Sequence, residues 1–332
     1  MQYLGHLGRN DPLYGYFCTD ILPQIGNFGQ EPDFRVFRFA GNREVYLYSD
    51  QVIGVKLVGK FFKMPDPDHA RYAGQTEFNN LLFLRRIGLA DPPCRVVRPY
   101  GFNPDVDHVL VTEYVQAESF GSVIESAIHR GKTDRFYRKL SALAAFMAYF
   151  HHRTVGDWPV DFDRVCAYFD GLIHTLQAGG FIGSDTASDF RYVKELWRNQ
   201  AFMWEDRSVL VHGDPTPSNL LIGHGADVTA IDLERMRWAD RAFDLGRLCG
   251  EIKHFFFRST NDPMNAEPFI GHFLWEYARY FPDQQAAFRS ITRRFPFYLG
   301  ITFLRIARND WVSSGYRKRL IQQAATILRA IA

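Results

Sequence analysis

The chain has 332 residues, with 39 basic against 37 acidic side chains and 46% hydrophobic residues. That is enough material for one large domain or two lobes around a real core. The near-neutral balance, +2 overall, gives no global nucleic-acid signal. Cys18, Cys94, Cys166 and Cys249 are scattered without a Cys-x-x-Cys pair, which fits reduced thiols in a cytoplasmic protein better than a disulfide framework or a zinc site. No basic start precedes an apolar run, so no signal peptide is expected. The longest apolar stretch, near residues 140–150, is too short to span a bilayer.

Residues 1–34 hold Gly, Pro, Asn and aromatics without a clean period and read as an irregular extension. Val36 to Phe39 then forms a strand, Gly41-Asn42 a hairpin turn, and Glu44 to Tyr48 the returning strand. Val52 to Val58 reads as the next strand. It carries Lys56, a lone cation in a β-branched run, which must be paired, reach a solvated cleft, or lie on the open side of an edge strand. Residues 65–69 read as a Pro- and Asp-rich loop. Residues 71–87 follow as a helix, with Phe78, Leu81, Leu82 and Arg85 at helical spacing and Gly88 as a stop. Glu77 lies in its first half; composition alone makes it an exposed helix glutamate.

Residues 94–100 and 108–112 look like the last strands of a small sheet. Glu113-Tyr114-Val115 follows, and a helix starts at Glu118-Ser119. Leu140, Leu143, Ala144, Met147 and Phe150 form one apolar helix face, closed by His151-His152 at the negative end of the helix dipole. Residues 161–177 and 186–205 read as two more helices. Asp157, Asp161, Asp163 and Asp170 in this region are either recognition groups for a cationic or hydroxylated substrate or solvated caps.

The densest chemistry follows. Val209-Leu210-Val211 is a short buried strand leading into His212-Gly213-Asp214-Pro215-Thr216-Pro217-Ser218-Asn219. Pro215 and Pro217 forbid a helix or a paired strand there, so Asp214 sits on a rigid loop. Leu220 to Ile222 and Val228 to Ile231 form two hairpin-linked strands, and the second delivers Asp232 of Ile231-Asp232-Leu233-Glu234. Oxygen-bearing side chains converging in this way suit magnesium, which takes one or two carboxylates plus substrate phosphates. A second carboxylate is then spared for an attacking hydroxyl, the arrangement that phosphoryl transfer needs. The plain alternative is a polar turn with capping Asp and Asn. A His-Gly-Asp-four-Asn pattern arises by chance in roughly one chain in a thousand of this length.

Residues 245–332 read as all helical, with helices near 271–280, 284–294, 300–307 and 317–331. From Arg258 onward there are eleven Lys or Arg against five Asp or Glu, a surplus of six. Either this is a solvated basic surface, or it disfavours a polycationic substrate and favours one that is neutral or already bears phosphate or carboxylate.

The two motifs resemble those of the aminoglycoside phosphotransferase and choline kinase group, small-molecule kinases whose signatures are His-Gly-Asp-x-x-x-x-Asn and Ile-Asp-x-Glu. The resemblance is strong over residues 205–250 and looser elsewhere. It implies an α+β, two-lobed protein-kinase-like fold. A small lobe, residues 1–112, would carry an antiparallel sheet and one helix, followed by a hinge at 113–117 and a larger helical lobe at 118–332. It further implies Asp214 as the catalytic base and Asn219 and Asp232 as magnesium ligands, with ATP or GTP as donor. His212 and Asp244 would be structural.

By the same resemblance Lys56, paired with Glu77, would hold the α- and β-phosphates, and the Gly41-Asn42 turn would cover them. The backbone of Glu113 and Val115 would meet the adenine edge. The acceptor would be a small hydroxyl-bearing molecule, with no nucleic-acid or membrane partner. The rivals are a silent nucleotide-binding module and a protein kinase. All five chemical positions are filled, against the first; His-Gly-Asp replaces His-Arg-Asp and no Asp-Phe-Gly is present, against the second.

Overall fold

The structure is a computed structural model that describes residues 1–26, 29, 31–39 and 44–331. The expected turn at Gly41 and Asn42 lies outside the described residues. The chain divides into two compact units, Met1–Ala117 with Thr229–Glu234, and Glu118–Val228 with Arg235–Ala332. The smaller unit thus takes back a segment, Thr229–Glu234, that the sequence reading assigned to the larger lobe.

In chain order the elements of the first part are β1 (Gln2–His6), α1 (Pro12–Tyr16), β2 (Phe34–Arg38), β3 (Val45–Asp50), β4 (Lys56–Phe61), α2 (Pro67–Arg86), β5 (Cys94–Val96), β6 (Pro99–Asn103) and β7 (Val109–Glu113). Six of the strands form an antiparallel sheet in the order β1-β2-β3-β4-β7-β6.

Three expectations change here. Residues 1–34 are not an irregular extension: β1 is an edge strand, and Leu13, Phe17, Ile21 and Leu22 are buried against Phe34, Tyr48, Leu57, Val109 and Val111. The ring of Phe17 meets those of Phe34 and Tyr48 edge-on at 5.1 Å. Burying such a ring contributes about 1.5–3 kcal/mol. The signal was hidden because β1 is bulged between Tyr3 and Gly5, and the turns after it switch from α to π to 3-10 geometry within 14 residues, Pro12 to Ile25. No single period survives such switching.

The second change is in β4, which begins at Lys56 rather than at Val52. The buried carboxylate of Asp50 accepts backbone N–H groups from Val52, Ile53 and Gly54 and turns them into a loop, with Gly54 at φ 74°. Third, α2 starts before the expected position: Asp66 accepts from the Asp68 N–H as N-cap and Pro67 takes the first helical position, where its missing N–H costs nothing.

The remaining elements are β8 (Glu118–Ser119), α3 (Phe120–Arg130), α4 (Thr133–His152), α5 (Phe162–Ala178), α6 (Ser184–Arg198), β9 (Val209–Val211), β10 (Leu220–Ile222), β11 (Val228–Ala230), β12 (Arg237–Ala239), α7 (Arg241–Thr260), α8 (Glu267–Ala278), α9 (Gln284–Ala307) and α10 (Ser314–Arg329). Within the larger unit β12 pairs with β9 and β10 with β8, both antiparallel. Its core gathers apolar faces of α5, α6, α7, α9 and α10, with Trp197 buried and its indole N–H donating to the Leu328 carbonyl at 2.8 Å.

One helix, α9, replaces the two expected at 284–294 and 300–307, running through Pro296. An interior proline costs about 3 kcal/mol. The buried Phe297, Tyr298, Ile301 and Leu304 beyond it offset that cost. Among the described residues no helix is long and apolar enough to cross a membrane.

A candidate active site in two parts

The first part lies in the smaller unit. Lys60, on β4, reaches Glu77 of α2 at 2.7 Å, Glu234 at 3.1 Å, and Asp232 in a still shorter contact. The segment carrying the two acids is pinned by the buried Leu233, whose carbonyl accepts from the Asn80 side chain at 2.9 Å. Asp232 adopts φ 64°, a left-handed conformation that aspartate tolerates better than most residues but that remains unusual. Burial opposes the Lys60 ammonium, yet three carboxylates outweigh it and hold its pKa above the usual value. Glu77 is 2% exposed, and burial pushes its carboxyl up to about 7 despite Lys60.

Carboxylate oxygens of Glu77, Asp232 and Glu234 come within 4.8 Å of one another. Three hard carboxylate oxygens this close together fit a divalent cation such as magnesium.

The expected partnership of Glu77 with Lys56 is therefore corrected: the partner is Lys60. Lys56 is exposed, and its ammonium sits 5.6 Å from the centre of the Tyr114 ring. The two lysines are four apart on one strand and so share a face. Period alone could not choose between them. The choice was made by where the Asp50-capped turn starts the strand.

The second part lies in the larger unit. Asp214 is 9% exposed, on the irregular loop after β9. Its Oδ1 accepts from Arg247 at 2.9 Å and from Arg305 at 2.7 Å; Arg235 stands 3.6 Å from Oδ2. Charge-assisted hydrogen bonds of this kind contribute about 1.5–3 kcal/mol each. Arg305 also pairs with Glu251 at 2.9 Å, and Arg247 donates to the Tyr168 hydroxyl at 3.3 Å.

The arginines reach Asp214 because α7 and α9 cross closely. A Cβ at Gly246 would lie 2.3 Å from Cβ of Tyr298, and one at Gly250 would lie 2.5 Å from Cγ2 of Thr302. Asn219, five residues on, donates its side-chain N–H to the Asp214 carbonyl at 3.0 Å. That bond fixes which way the amide faces, with its Oδ1 accepting from the Ser218 hydroxyl at 3.4 Å.

The loop is anchored from α7. The carboxylate of Asp244, wholly buried, accepts the backbone N–H of His212 at 2.6 Å and of Gly213 at 3.0 Å. His151 Nε2 lies 3.3 Å from the same carboxylate, and its Nδ1 lies 2.9 Å from the Tyr277 hydroxyl. Burial lowers the His151 pKa, so the ring is neutral, donating through Nε2 and accepting through Nδ1. Burial works against the Asp244 charge, but the bond from His151 and the loop N–H groups outweigh it and keep the carboxyl below its usual range. Gly213 has φ 83°, and a Cβ there would lie 2.1 Å from the Arg235 carbonyl oxygen.

Asp214 and Asn219 are thus brought together in one unit, and Glu77 and Asp232 in the other. In the expected hinge, the Glu113 side chain accepts from Arg95 at 2.9 Å and from the Arg98 N–H at 2.8 Å, while the Val115 carbonyl accepts from Ala117. The four candidate aspartates each have a cap or ion-pair role, and Asp161 also lines a cavity beside Gly213. Asp161 caps α5, Asp163 pairs with Arg198, Asp170 with Lys194 and Asp157 with Arg207. Sequence reasoning missed Lys60, Arg235, Arg247 and Arg305, and gave Glu234 no role. Arg247 carried a faint signal, lying three residues past Asp244 on one helix face. Arg305 carried none, since only the α7–α9 crossing places it.

Comparison with solved structures gives three similar folds. The ethanolamine kinase of Plasmodium vivax matches with TM-score 0.64 at 13% identity, over 96% of this chain and 90% of that one. The streptomycin-ATP-APH(2")-IIa ternary complex matches with TM-score 0.58 at 13% identity, over 97% and 99%. The choline kinase LicA from Streptococcus pneumoniae matches with TM-score 0.53 at 17% identity, over 89% and 94%. At such identities the likeness speaks for the fold, which is kinase-like. No curated protein matches. Comparison with protein families aligns residues 40–282, most of the chain and both motifs, with the phosphotransferase enzyme family. The chain belongs to the phosphotransferase enzyme family.

Proposed function

We propose that the protein is a small-molecule kinase that transfers the γ-phosphate of Mg-ATP to an alcohol hydroxyl. The observation that carries this reading is Asp214, a carboxylate on a rigid loop that accepts its two arginine hydrogen bonds through one oxygen. Arg247 and Arg305 both donate to Oδ1, and Oδ2, with Arg235 at 3.6 Å, is the oxygen assigned to a substrate hydroxyl. In a loose transition state the base needs position more than strength. A carboxylate clamped by two guanidiniums suits that role. It would orient the hydroxyl and accept its proton as the oxygen–phosphorus bond forms.

Asn219 and Asp232 are the proposed magnesium ligands, with Glu234 as a further carboxylate. When bound, the ion neutralises charge on the β- and γ-phosphates. Lys60, steadied by Glu77, takes the role first expected of Lys56 and would hold the α- and β-phosphates. The backbone of Glu113 and Val115 would meet the adenine edge. Kinases of similar fold named for ethanolamine and choline, and one solved with streptomycin and ATP, support a small acceptor.

The test is transfer of labelled γ-phosphate from Mg-ATP to a pooled metabolite and antibiotic library, by the wild type and by Asp214→Asn. An asparagine Oδ1 still accepts from both arginines, so circular dichroism should be unchanged. Turnover should fall by about 10³-fold or more, within the range of a lost general base with its charge. Near-normal turnover in the variant would refute the assignment. Mg-ATP binding without transfer by the wild type would favour a silent nucleotide-binding module.

A further inference from the structure

Beside the catalytic loop, within the larger unit, lies a cavity of about 280 Å³. Gly213, the neighbour of Asp214, forms part of its wall, and Arg164, Arg235, Arg237 and Arg247 line it. The volume falls just under the ~300–1,000 Å³ typical of pockets for drug-sized ligands. It suits a compact metabolite.

Four guanidiniums gather at this cavity, with the carboxylate of Asp161 also in its wall. Arg164 pairs with Asp161 at 3.0 Å. Arg247 and Arg235 share Asp214 at 2.9 and 3.6 Å, and that carboxylate also takes Arg305. Arg237 makes no ion pair among the described residues. It is held over the Phe243 ring, 4.3 Å from its centre, and donates to the Arg235 carbonyl at 3.4 Å. It is therefore a positioned cation with no carboxylate in ion-pair contact among the described residues. Tyr168 and Trp238 add flat apolar wall.

Resting on the phosphotransferase reading above, we infer that this cavity is the acceptor site and that the acceptor is an alcohol already bearing a carboxylate or phosphate, held by Arg237 and Arg164. Guanidinium forks bind carboxylate and phosphate oxygens in pairs, which positions the molecule as well as attracting it. A polycationic acceptor would meet like charge on every side but one. Anchoring that anion on Arg237, while Asp214 takes the hydroxyl, would let one molecule meet both the unpaired guanidinium and the carboxylate of the loop.

The test is equilibrium binding by calorimetry to the whole chain. The probes are glycerol 3-phosphate and D-glycerate as anions, with glycerol and choline as neutral and cationic counterparts. Both anions should bind at least about tenfold more tightly than glycerol or choline. Arg237→Gln should weaken them about tenfold or more, Arg164→Gln by less, and added salt should weaken them further. Equal or tighter binding of choline or glycerol would overturn the inference. So would failure of both anions to bind at millimolar concentration, or unaltered anion affinity in Arg237→Gln. Mg-ATP binding on the same samples keeps the two readings apart. If it persists while the anions fail, only the acceptor class is wrong; if the wild type binds neither Mg-ATP nor Mg-GTP, the phosphotransferase reading and this inference fall together.

Discussion

The two parts of the candidate site are built with opposite charge. In the smaller unit one ammonium, Lys60, stands among three carboxylates, Glu77, Asp232 and Glu234. In the larger unit one carboxylate, Asp214, stands among three guanidiniums, Arg235, Arg247 and Arg305. Among the residues named, acids outnumber cations in the first cluster, and guanidiniums outnumber acids in the second even with Glu251 paired to Arg305. Such imbalances are costly in a half-buried setting and are eased by a ligand of opposite sign. The first invites a divalent cation, the second an anion. The difference teaches that the motif residues alone do not set the chemistry of a site. Lys60 and the arginines, which no motif marks, decide which ligand each acid will face.

The largest effect that would break this comparison is at Lys60. Lys60→Met removes the cation that three acids share and leaves Glu77 buried without its ammonium partner. The loss should be about 3–5 kcal/mol in denaturant unfolding, with Mg-ATP binding weakened as well. Lys56→Met, on the same strand, should change stability by less than about 0.5 kcal/mol, as an exposed site does. If Lys56→Met were the damaging change, the assignment of Lys60 would be wrong.

Asp244→Ala comes next. It strips two backbone N–H groups and His151 of their shared acceptor, and about 3 kcal/mol should be lost. Turnover should fall too, because the loop bearing Asp214 loses its anchor. Addition of the acceptor to saturation should not restore it.

The smallest effect concerns acid. Lowering the pH also loads buried groups outside both clusters, and these must be subtracted before the clusters are compared. His254, on α7, is one such group; burial lowers its pKa to about 4, and its Nδ1 lies 2.9 Å from the Tyr316 hydroxyl. The unfolded imidazole protonates near 6.5. Between those values the unfolded chain therefore binds more protons, and stability falls as pH drops from 6.5 to 4, by up to about 3 kcal/mol. In His254→Gln that part of the slope should vanish; an unaltered slope would mean that His254 is not the group responsible.

Much of the larger unit was legible in the sequence. Val209 to Val211, the proline-locked loop and Leu220 to Ile222 all fall where their residue types put them, because short apolar strands and prolines act locally. Asp244 was legible as an anchor through the resemblance. The N-terminal packing of Phe17 was not, since its helical turns change type within a few residues. The continuous α9 was not, since Pro296 reads locally as a break and only the buried side chains beyond it offset the cost.

The sequence by itself determined the two acidic motifs, the order of strands and helices around them, and the identity of the loop that carries Asp214. Those follow from local geometry and residue type. Only the tertiary structure decided which lysine meets Glu77 and which arginines meet Asp214. The first depends on where a side-chain-capped turn starts β4. The second depends on how closely Gly246 and Gly250 let α7 approach α9 at Tyr298 and Thr302, far along the chain.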